Sequence, residues 1–81
     1  MIYFLYILRS LKDGRCYVGM TTDIEKRLQY HNRGNVRSTK ARIPFEIIHT
    51  ESFSTRQEAR NREKYLKSYA GSKEKFQLIG R

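Results

Sequence analysis

The sequence contains five side chains whose types suit the hydrolysis of a phosphate ester: Tyr6, Tyr17, Arg27, His31 and Glu63. An arginine stabilises the negative charge that develops on a phosphate, and histidine or tyrosine moves a proton to or from water. A carboxylate can bind Mg²⁺, which keeps waters and phosphate oxygens as its other ligands. The set predicts phosphodiester hydrolysis, while residue types alone leave a nucleic-acid-binding module as an alternative.

Each of these residues also has an ordinary structural interpretation. Strand tyrosines usually pack in a core with the hydroxyl at its rim, and arginines on helices are usually solvated. A histidine near a helix C-terminus can interact with the helix dipole. Glu63 could form an ion pair with one of the many arginines. The elements that position the five side chains therefore decide between the interpretations.

The first two elements are predicted to form a hairpin. The stretch "IYFLYILRS" indicates a strand buried on both faces, Asp13-Gly14 is a turn signal, and "RCYVGM" is the returning strand. With a two-residue loop, Tyr6 pairs with Thr21, and Tyr6 and Tyr17 emerge on one face of the sheet. At about 3.3 Å per residue they would be roughly 13 Å apart, too far to hold the same water.

A first helix is predicted from about residue 23 to residue 33. Thr22 and Glu25 have the spacing of a capping box, and Gly34 suits the helix end. Arg27 and His31 lie one turn apart beside the apolar stripe, so both are expected on the rim of the helix face that meets the sheet.

A second helix is predicted from a cap at Ser54 or Thr55 to about residue 69. Its apolar stripe consists of three residues, Ala59, Leu66 and Ala70. Glu63 lies within this stripe, and a carboxylate in that position needs a partner.

The remaining elements complete an α+β fold. An exposed loop is expected from residue 34 to residue 44, followed by a strand, "FEIIHTESF". Ser72 could cap a short C-terminal helix, whose predicted docking residues are Phe76, Leu78 and Ile79. The predicted order is ββαβα plus this helix, in one domain spanning residues 1–81, with helices packed against a small antiparallel sheet.

The composition indicates the class of partner. Seventeen Lys and Arg against eight Asp and Glu give a net charge of +9, which favours nucleic acid over a membrane surface. The predicted nucleic-acid contacts are basic residues of the loop and the second helix: Arg37, Lys40, Arg42 and Lys67. The single cysteine, Cys16, indicates a reducing compartment, and the expected location is the cytosol.

The ordered motifs along nearly the whole chain resemble the GIY-YIG nuclease superfamily. Phe4-Leu5-Tyr6 stands at the family's first triad, with Phe4 in place of glycine, and Tyr17-Val18-Gly19 is close to the second. The pattern is most similar to short standalone bacterial members of unassigned role. Further matches lie along the rest of the chain, at Thr22-Asp23, Arg27, His31-Asn32, Thr39, Pro44, Glu63, Lys67, Lys75 and Leu78-Ile79.

This resemblance implies a three-stranded antiparallel sheet and an endonuclease that cuts DNA, in repair or recombination, with one divalent ion, Mg²⁺ or Mn²⁺. By the same resemblance Glu63 binds the metal, Arg27 stabilises the phosphate, and Tyr6 or Tyr17 activates water with assistance from His31. Tyr6 is ranked first as the base. A protein partner could supply specificity. A nucleic-acid-binding module with little catalysis and a purely structural or interaction domain remain as alternatives.

Overall fold

The computed structural model describes residues 1–80 and shows a three-stranded antiparallel sheet with three α-helices. The elements in chain order are β1 (Tyr3–Ser10), β2 (Cys16–Thr21), α1 (Ile24–Asn32), a short 3₁₀ turn (Lys40–Arg42), β3 (Phe45–Phe53), α2 (Arg56–Lys67) and α3 (Ser72–Leu78). The predicted α+β class, the three-stranded sheet and the order ββαβα plus a short helix are confirmed. Across residues 1–80, no helix has the length and apolar character needed to span a membrane.

β1 is the central strand, since the strand order is β2-β1-β3. Its residues Leu5 to Leu8 are each at most 2% exposed, which confirms burial on both faces. One face packs Tyr6 and Leu8 with Phe45 and with Leu28 of α1. The other face packs Leu5, Ile7 and Val18 with Leu66 of α2. Helices therefore cover both faces of the sheet and fix the strand that carries Tyr6.

The register of the hairpin differs from the predicted one by two residues. Tyr6 pairs with Gly19 rather than Thr21, because a five-residue connection from residue 11 to residue 15 replaces the two-residue loop. Ser10 holds this wider turn, since its Oγ accepts hydrogen bonds from the backbone N–H groups of Lys12 and Asp13. A shift of two residues keeps each side chain on its face. Tyr6 and Tyr17 therefore share a face, as predicted, but their ring centroids are only 6.4 Å apart.

The helix boundaries differ from the predicted ones at the cap of α1, at the end of α2 and at the start of α3, while the predicted cap at Thr55 is confirmed. Asp23, not Thr22, caps α1, and its side chain accepts a hydrogen bond from the Lys26 N–H. Thr55 caps α2 in a complete capping box with Glu58, and α2 ends at Lys67. Gly71 rather than Ser72 precedes α3.

Two of the predicted apolar contacts fail. Ala70 lies beyond α2 and is exposed, and Phe76 is 56% exposed. Leu78 and Ile79 do pack against the core, as expected. The apolar contacts of α3 therefore come from its C-terminal end, and the ring of Phe76 is left at the surface.

Arg62 links β3, α2 and α3 through a network of ion pairs. Its guanidinium donates to both carboxylate oxygens of Glu51, at 2.8 and 3.1 Å, and to Glu74. Burial raises the pKa of Glu51, but hydrogen bonds from Arg62 and His49 outweigh it, so the pKa lies below its usual value. The network fixes the helix that also carries Glu63.

Candidate active site

The hydroxyl of Tyr6 lies between two groups of α1. Arg27 Nε donates a hydrogen bond to it at 3.3 Å, and His31 Nε2 lies 3.1 Å from it. His31 Nδ1 contacts Thr39 Oγ1 at 2.9 Å, and the Thr39 hydroxyl donates to the Val36 carbonyl. With the Thr39 hydroxyl donating to Val36, we assign the imidazole proton to Nδ1 from this hydrogen-bond network, so Nε2 accepts a hydrogen bond from the Tyr6 hydroxyl. A cation and a proton acceptor thus meet at one phenol oxygen.

His31 is completely buried, which corrects the prediction that it stands on the rim of α1. The predicted exposed loop contributes to this burial, because its Thr39 is also fully buried against the imidazole. Burial, aided by the positive charge of Arg27, lowers the pKa of His31 to about 4. The imidazole is therefore neutral at physiological pH and able to accept a hydrogen bond from the Tyr6 hydroxyl.

The buried imidazole makes a specific pH dependence of stability expected. An unfolded histidine binds a proton below about pH 6.5, whereas the folded His31 binds it only near pH 4. Between these values the unfolded chain holds more protons, so the free energy of unfolding falls with acidification, by about 2–3 kcal/mol. Urea unfolding at several pH values should show this loss, and His31→Gln should remove that part of the slope. Equal slopes in the two proteins would contradict it.

Gly19 lets the Tyr6 hydroxyl approach the backbone of β2. A Cβ at this position would lie 2.5 Å from Tyr6 Oη and 2.6 Å from its Cζ. Since the Tyr6 hydroxyl contacts Arg27 and His31, the ring cannot move away from an added methyl group without breaking these contacts. The glycine of the "YVG" stretch is therefore explained by space around the Tyr6 phenol.

Gly19→Ala should destabilise the fold by about 1–3 kcal/mol, as overpacking does, and displace Tyr6 from His31. Urea unfolding would measure the first effect, and the NMR signals of the His31 ring the second. Gly14→Ala is the control, because a methyl group there meets nothing within 4 Å. Gly14→Ala should lower the free energy of unfolding only through the positive φ of residue 14, and it should leave the NMR signals of His31 unchanged. A Gly19→Ala protein with native stability and native His31 signals would refute this account.

A cleft with a volume of about 400 Å³ opens beside this network. Eleven residues line it: Tyr3, Tyr6, Tyr17, Gly19, Met20, Thr21, Thr22, Arg27, Arg56, Arg60 and Glu63. The cleft thus joins β1, β2, α1 and α2. Of the five predicted site residues, four line it, and His31 lies behind Tyr6.

Glu63 reaches the cleft because of its position on α2. It lies between Ala59 and Leu66, which are buried, so this face of the helix meets the sheet. The Glu63 side chain is 16% exposed, and its Oε2 accepts a hydrogen bond from Lys67 Nζ at 3.0 Å. Its partner is a lysine rather than the arginine considered above. Glu63 is also the single carboxylate among the cleft residues.

Arg56 and Arg60 line the same cleft and were not predicted as site residues. A sequence signal for them exists, because Arg56, Arg60 and Glu63 follow helical spacing along one face of α2. Together with Arg27 they give the cleft three guanidinium groups against one carboxylate. Such a field attracts an anion of the size and charge of a phosphate diester.

The predicted nucleic-acid contacts are dispersed. Lys67 lies near the cleft, with its Nζ 5.4 Å from the Tyr17 ring centroid. Arg37 and Lys40 are exposed in the connection before β3. Arg42 is half-buried over the Phe45 ring and lines a different cavity. A nucleic acid would have to extend beyond the cleft to touch all four.

Comparison with known proteins agrees with this geometry. The sequence model of the GIY-YIG catalytic domain matches residues 2–77. The chain is 39% identical over 77 residues to the UPF0213 protein YazA of Bacillus subtilis, covering 94% of this chain and 77% of YazA. A UPF0213 protein of Bacillus licheniformis is 44% identical over 66 residues, covering 80% of this chain and 67% of the relative.

A solved structure is similar as well. The solution NMR structure of a UPF0213 protein from Bacillus halodurans superposes with a TM-score of 0.57 at 34% identity. The superposition covers 99% of this chain and 87% of that one. The resemblance noted in the sequence is thus confirmed at the level of the family, including similarity to short bacterial relatives. This chain belongs to the GIY-YIG catalytic domain family.

Proposed function

We propose that this protein is a metal-dependent endonuclease that hydrolyses phosphodiester bonds in DNA, acting in the cytosol in repair or recombination. The observation that carries the proposal is the Tyr6 hydroxyl, held between Arg27 and the neutral His31 beside the cleft that Glu63 lines. Membership of the GIY-YIG family supports nuclease chemistry. The proposal further specifies DNA as the substrate, a divalent ion as the cofactor, and repair or recombination in the cytosol as the setting. Residues 1–81 would act as one catalytic domain.

Tyr6 is proposed as the group that takes a proton from the attacking water. Burial raises the pKa of Tyr6, and the hydrogen bond from Arg27 opposes that rise, so the phenol is protonated at rest. In one concerted step the water oxygen would bond to phosphorus while its proton passes to the Tyr6 oxygen and the phenol proton passes to His31 Nε2, so no free phenolate forms beside the weakly basic imidazole. The bond to the leaving oxygen breaks in the same step, and that oxygen takes a proton from solvent. The net result places one proton of the water on His31, which then returns it to solvent.

Arginines supply the electrostatic part of the mechanism. Arg27 donates to the Tyr6 oxygen, where it would stabilise the negative charge that develops as protons move, and it faces the cleft, where negative charge develops on the phosphate. Arg56 and Arg60 would hold phosphates on either side of the scissile bond, since their side chains line the same cleft. These contacts involve the backbone and not the bases, so the expected substrates are defined by structure or damage rather than by sequence.

Glu63 is the residue that would hold the divalent ion. Within residues 1–80 no group of three His, Cys, Asp or Glu could form a closed metal site, which argues against zinc. One carboxylate beside an anion-binding cleft suits Mg²⁺ or Mn²⁺, which take one or two carboxylates and fill the remaining positions with waters and phosphate oxygens. The ion would neutralise charge on the bound phosphate.

The test is cleavage of supercoiled, nicked, branched and single-stranded DNA, and of RNA, with Mg²⁺ or Mn²⁺ and with EDTA. Glu63→Ala, prepared identically, measures contaminating nucleases. Cleavage of at least one substrate that requires the ion and exceeds the mutant is the expected result. Activity equal to that of Glu63→Ala on every substrate would refute the proposal, and metal-dependent cleavage of RNA alone would show that DNA was the wrong choice of substrate.

A nucleic-acid-binding module with little catalysis is the second candidate. The ion pair between Glu63 and Lys67 favours it, because the carboxylate already has a cationic partner. This alternative predicts binding that weakens steeply with salt and is indifferent to divalent ions and to Glu63→Ala. Loss of a metal-dependent cleavage step in Glu63→Ala would exclude it.

A further inference from the structure

A second cavity, with a volume of about 450 Å³, lies beside the N-terminal end of β2, whereas the cleft extends along β2 to its C-terminal end. The hairpin turn, the 3₁₀ turn and α3 surround it. Six of its lining residues matter here: Arg15, Cys16, Arg42, Lys75, Phe76 and Ile79. The proposed chemistry of the cleft uses none of them.

Positive charge dominates this cavity. Arg15, Arg42 and Lys75 line it, and its lining includes no carboxylate. Asp13 lies in the adjoining turn, where its Oδ1 accepts the Arg15 backbone N–H. Within residues 1–80, Arg42 Nε is buried and makes no hydrogen bond, so the guanidinium retains an unused donor. Three cations against one nearby carboxylate favour an anionic ligand.

The same cavity presents an aromatic ring. Phe76 is 56% exposed, although Leu78 and Ile79 of the same turn pack against the core. An exposed phenylalanine offers a flat apolar face on which a nucleobase can stack, and neighbouring cations can hold the backbone of the same strand. In a duplex the bases already stack on one another, so this combination fits unpaired nucleotides better than duplex.

The position of the cavity relates it to the cleft. Cys16 lines the cavity, and Tyr17 and Gly19 to Thr21 line the cleft, a separation of one to five strand residues. At about 3.3 Å per residue this is roughly 3–17 Å along β2. A duplex strand advances about 3.4 Å per nucleotide, so the span corresponds to about one to five nucleotides, and fewer in an extended single strand.

We infer that the cavity bounded by Arg15, Arg42, Lys75 and Phe76 binds an unpaired stretch of nucleic acid a few nucleotides from the cleft, with a base stacked on Phe76. The part of this inference that concerns the cleft rests on the proposed nuclease function, and binding to the cavity does not. The site would direct the protein to substrates with a single-stranded segment next to the bond that is cut.

The first test measures the affinity for a fluorescent oligothymidine of about 12 nucleotides, a length within the range bound by single-strand-binding domains. Anisotropy is recorded in EDTA, so that no strand is cut. Phe76→Ala should weaken binding about fivefold or more, as loss of one stacked base does. Tyr69→Ala is the control, because that ring is 96% exposed and lies outside the cavity. Equal affinity of Phe76→Ala and the parent protein would overturn the inference.

A second pair of variants tests the phosphate contact. Lys75→Gln should reduce the slope of log affinity against log salt by about 0.7, the value for one phosphate contact in a single strand. Lys73→Gln removes the same charge from the same helix outside the cavity and should leave most of the slope unchanged. Equal changes in the two variants would mean that net charge alone acts, and the site would be rejected.

Failure of this inference and failure of the nuclease proposal give different results. A small chromogenic phosphodiester, bis(p-nitrophenyl) phosphate, reaches the cleft without extending to the cavity. Phe76→Ala should therefore cleave it at the parental rate while its KM for a branched DNA with a single-stranded arm rises about fivefold or more, in line with the lost stacking. Weaker oligothymidine binding by Phe76→Ala in a protein without nuclease activity would support the cavity and refute only the nuclease. Parental KM for the branched DNA would count against the cavity.

Discussion

Glu63→Gln should lower the rate of divalent-ion-dependent cleavage by about 10³-fold or more. A bound metal ion contributes several kcal/mol to stabilising the charge of the transition state, and each 1.4 kcal/mol corresponds to about a factor of ten in rate. Glutamine keeps the size of the side chain but not the negative charge that attracts the ion. The measurement is single-turnover cleavage of the best DNA substrate across a range of Mg²⁺ and Mn²⁺ concentrations.

DNA binding should survive this substitution. Removal of one negative charge from a cleft that holds three arginines makes its field more positive, so affinity measured in EDTA should stay equal or rise. Glu25→Gln provides a matched control, since Glu25 is exposed on α1 and lies outside the cleft. A Glu63→Gln protein that cleaves at the parental rate would remove Glu63 from the mechanism. Equal losses in the two variants would point to net charge rather than to the position of the carboxylate.

Tyr6→Phe should reduce cleavage by about 10²- to 10⁴-fold, the range for loss of a positioned proton-transfer group. The hydroxyl is the atom that links Arg27 to His31, and phenylalanine leaves both nitrogens without this partner. A loss of about 1–2 kcal/mol in stability is therefore expected as well. Urea unfolding must accompany the kinetics so that the assay temperature lies within the folded range of each variant.

Tyr17→Phe is the natural comparison for Tyr6→Phe. Tyr17 also lines the cleft, and its ring lies 5.0 Å from the His31 ring, but the proton acceptor and the arginine converge on Tyr6. Tyr17→Phe should therefore retain at least about a tenth of the activity, short of the loss that follows removal of a proton-transfer group. If Tyr17→Phe shows the larger defect, the assignment of the base passes to Tyr17. Parental activity in both variants would place the proton transfer elsewhere.

The sequence predicted the faces of the hairpin better than its register. Alternation fixed which side chains share a face, so Tyr6 and Tyr17 were placed together correctly. The distance between them was wrong because the Ser10 side chain organises a wide turn, and Asp13-Gly14 does not act as a two-residue loop. Turn length depends on side-chain hydrogen bonds that hydrophobic patterning does not encode.

The burial of His31 was also beyond the reach of periodicity. A helical projection places His31 beside the apolar stripe, but Thr39 buries it from a segment with no periodic signal. Phe76 shows the converse error, since it was predicted to dock the C-terminal helix together with Leu78 and Ile79 but is 56% exposed. The position of Glu63 toward the sheet was predictable, because it is a carboxylate on a helix face whose other residues are apolar and buried.

The cleft is assembled from distant parts of the chain, and this has a consequence during synthesis. β1, β2 and α1 are synthesised first, so a nascent chain contains Tyr6, Arg27 and His31 before residue 63 is added. Glu63 enters the cleft only when α2 docks against β1 and β2. Under the proposed mechanism the metal site is complete only after α2 has been translated, so a chain that ends before residue 63 lacks the carboxylate that would hold the ion.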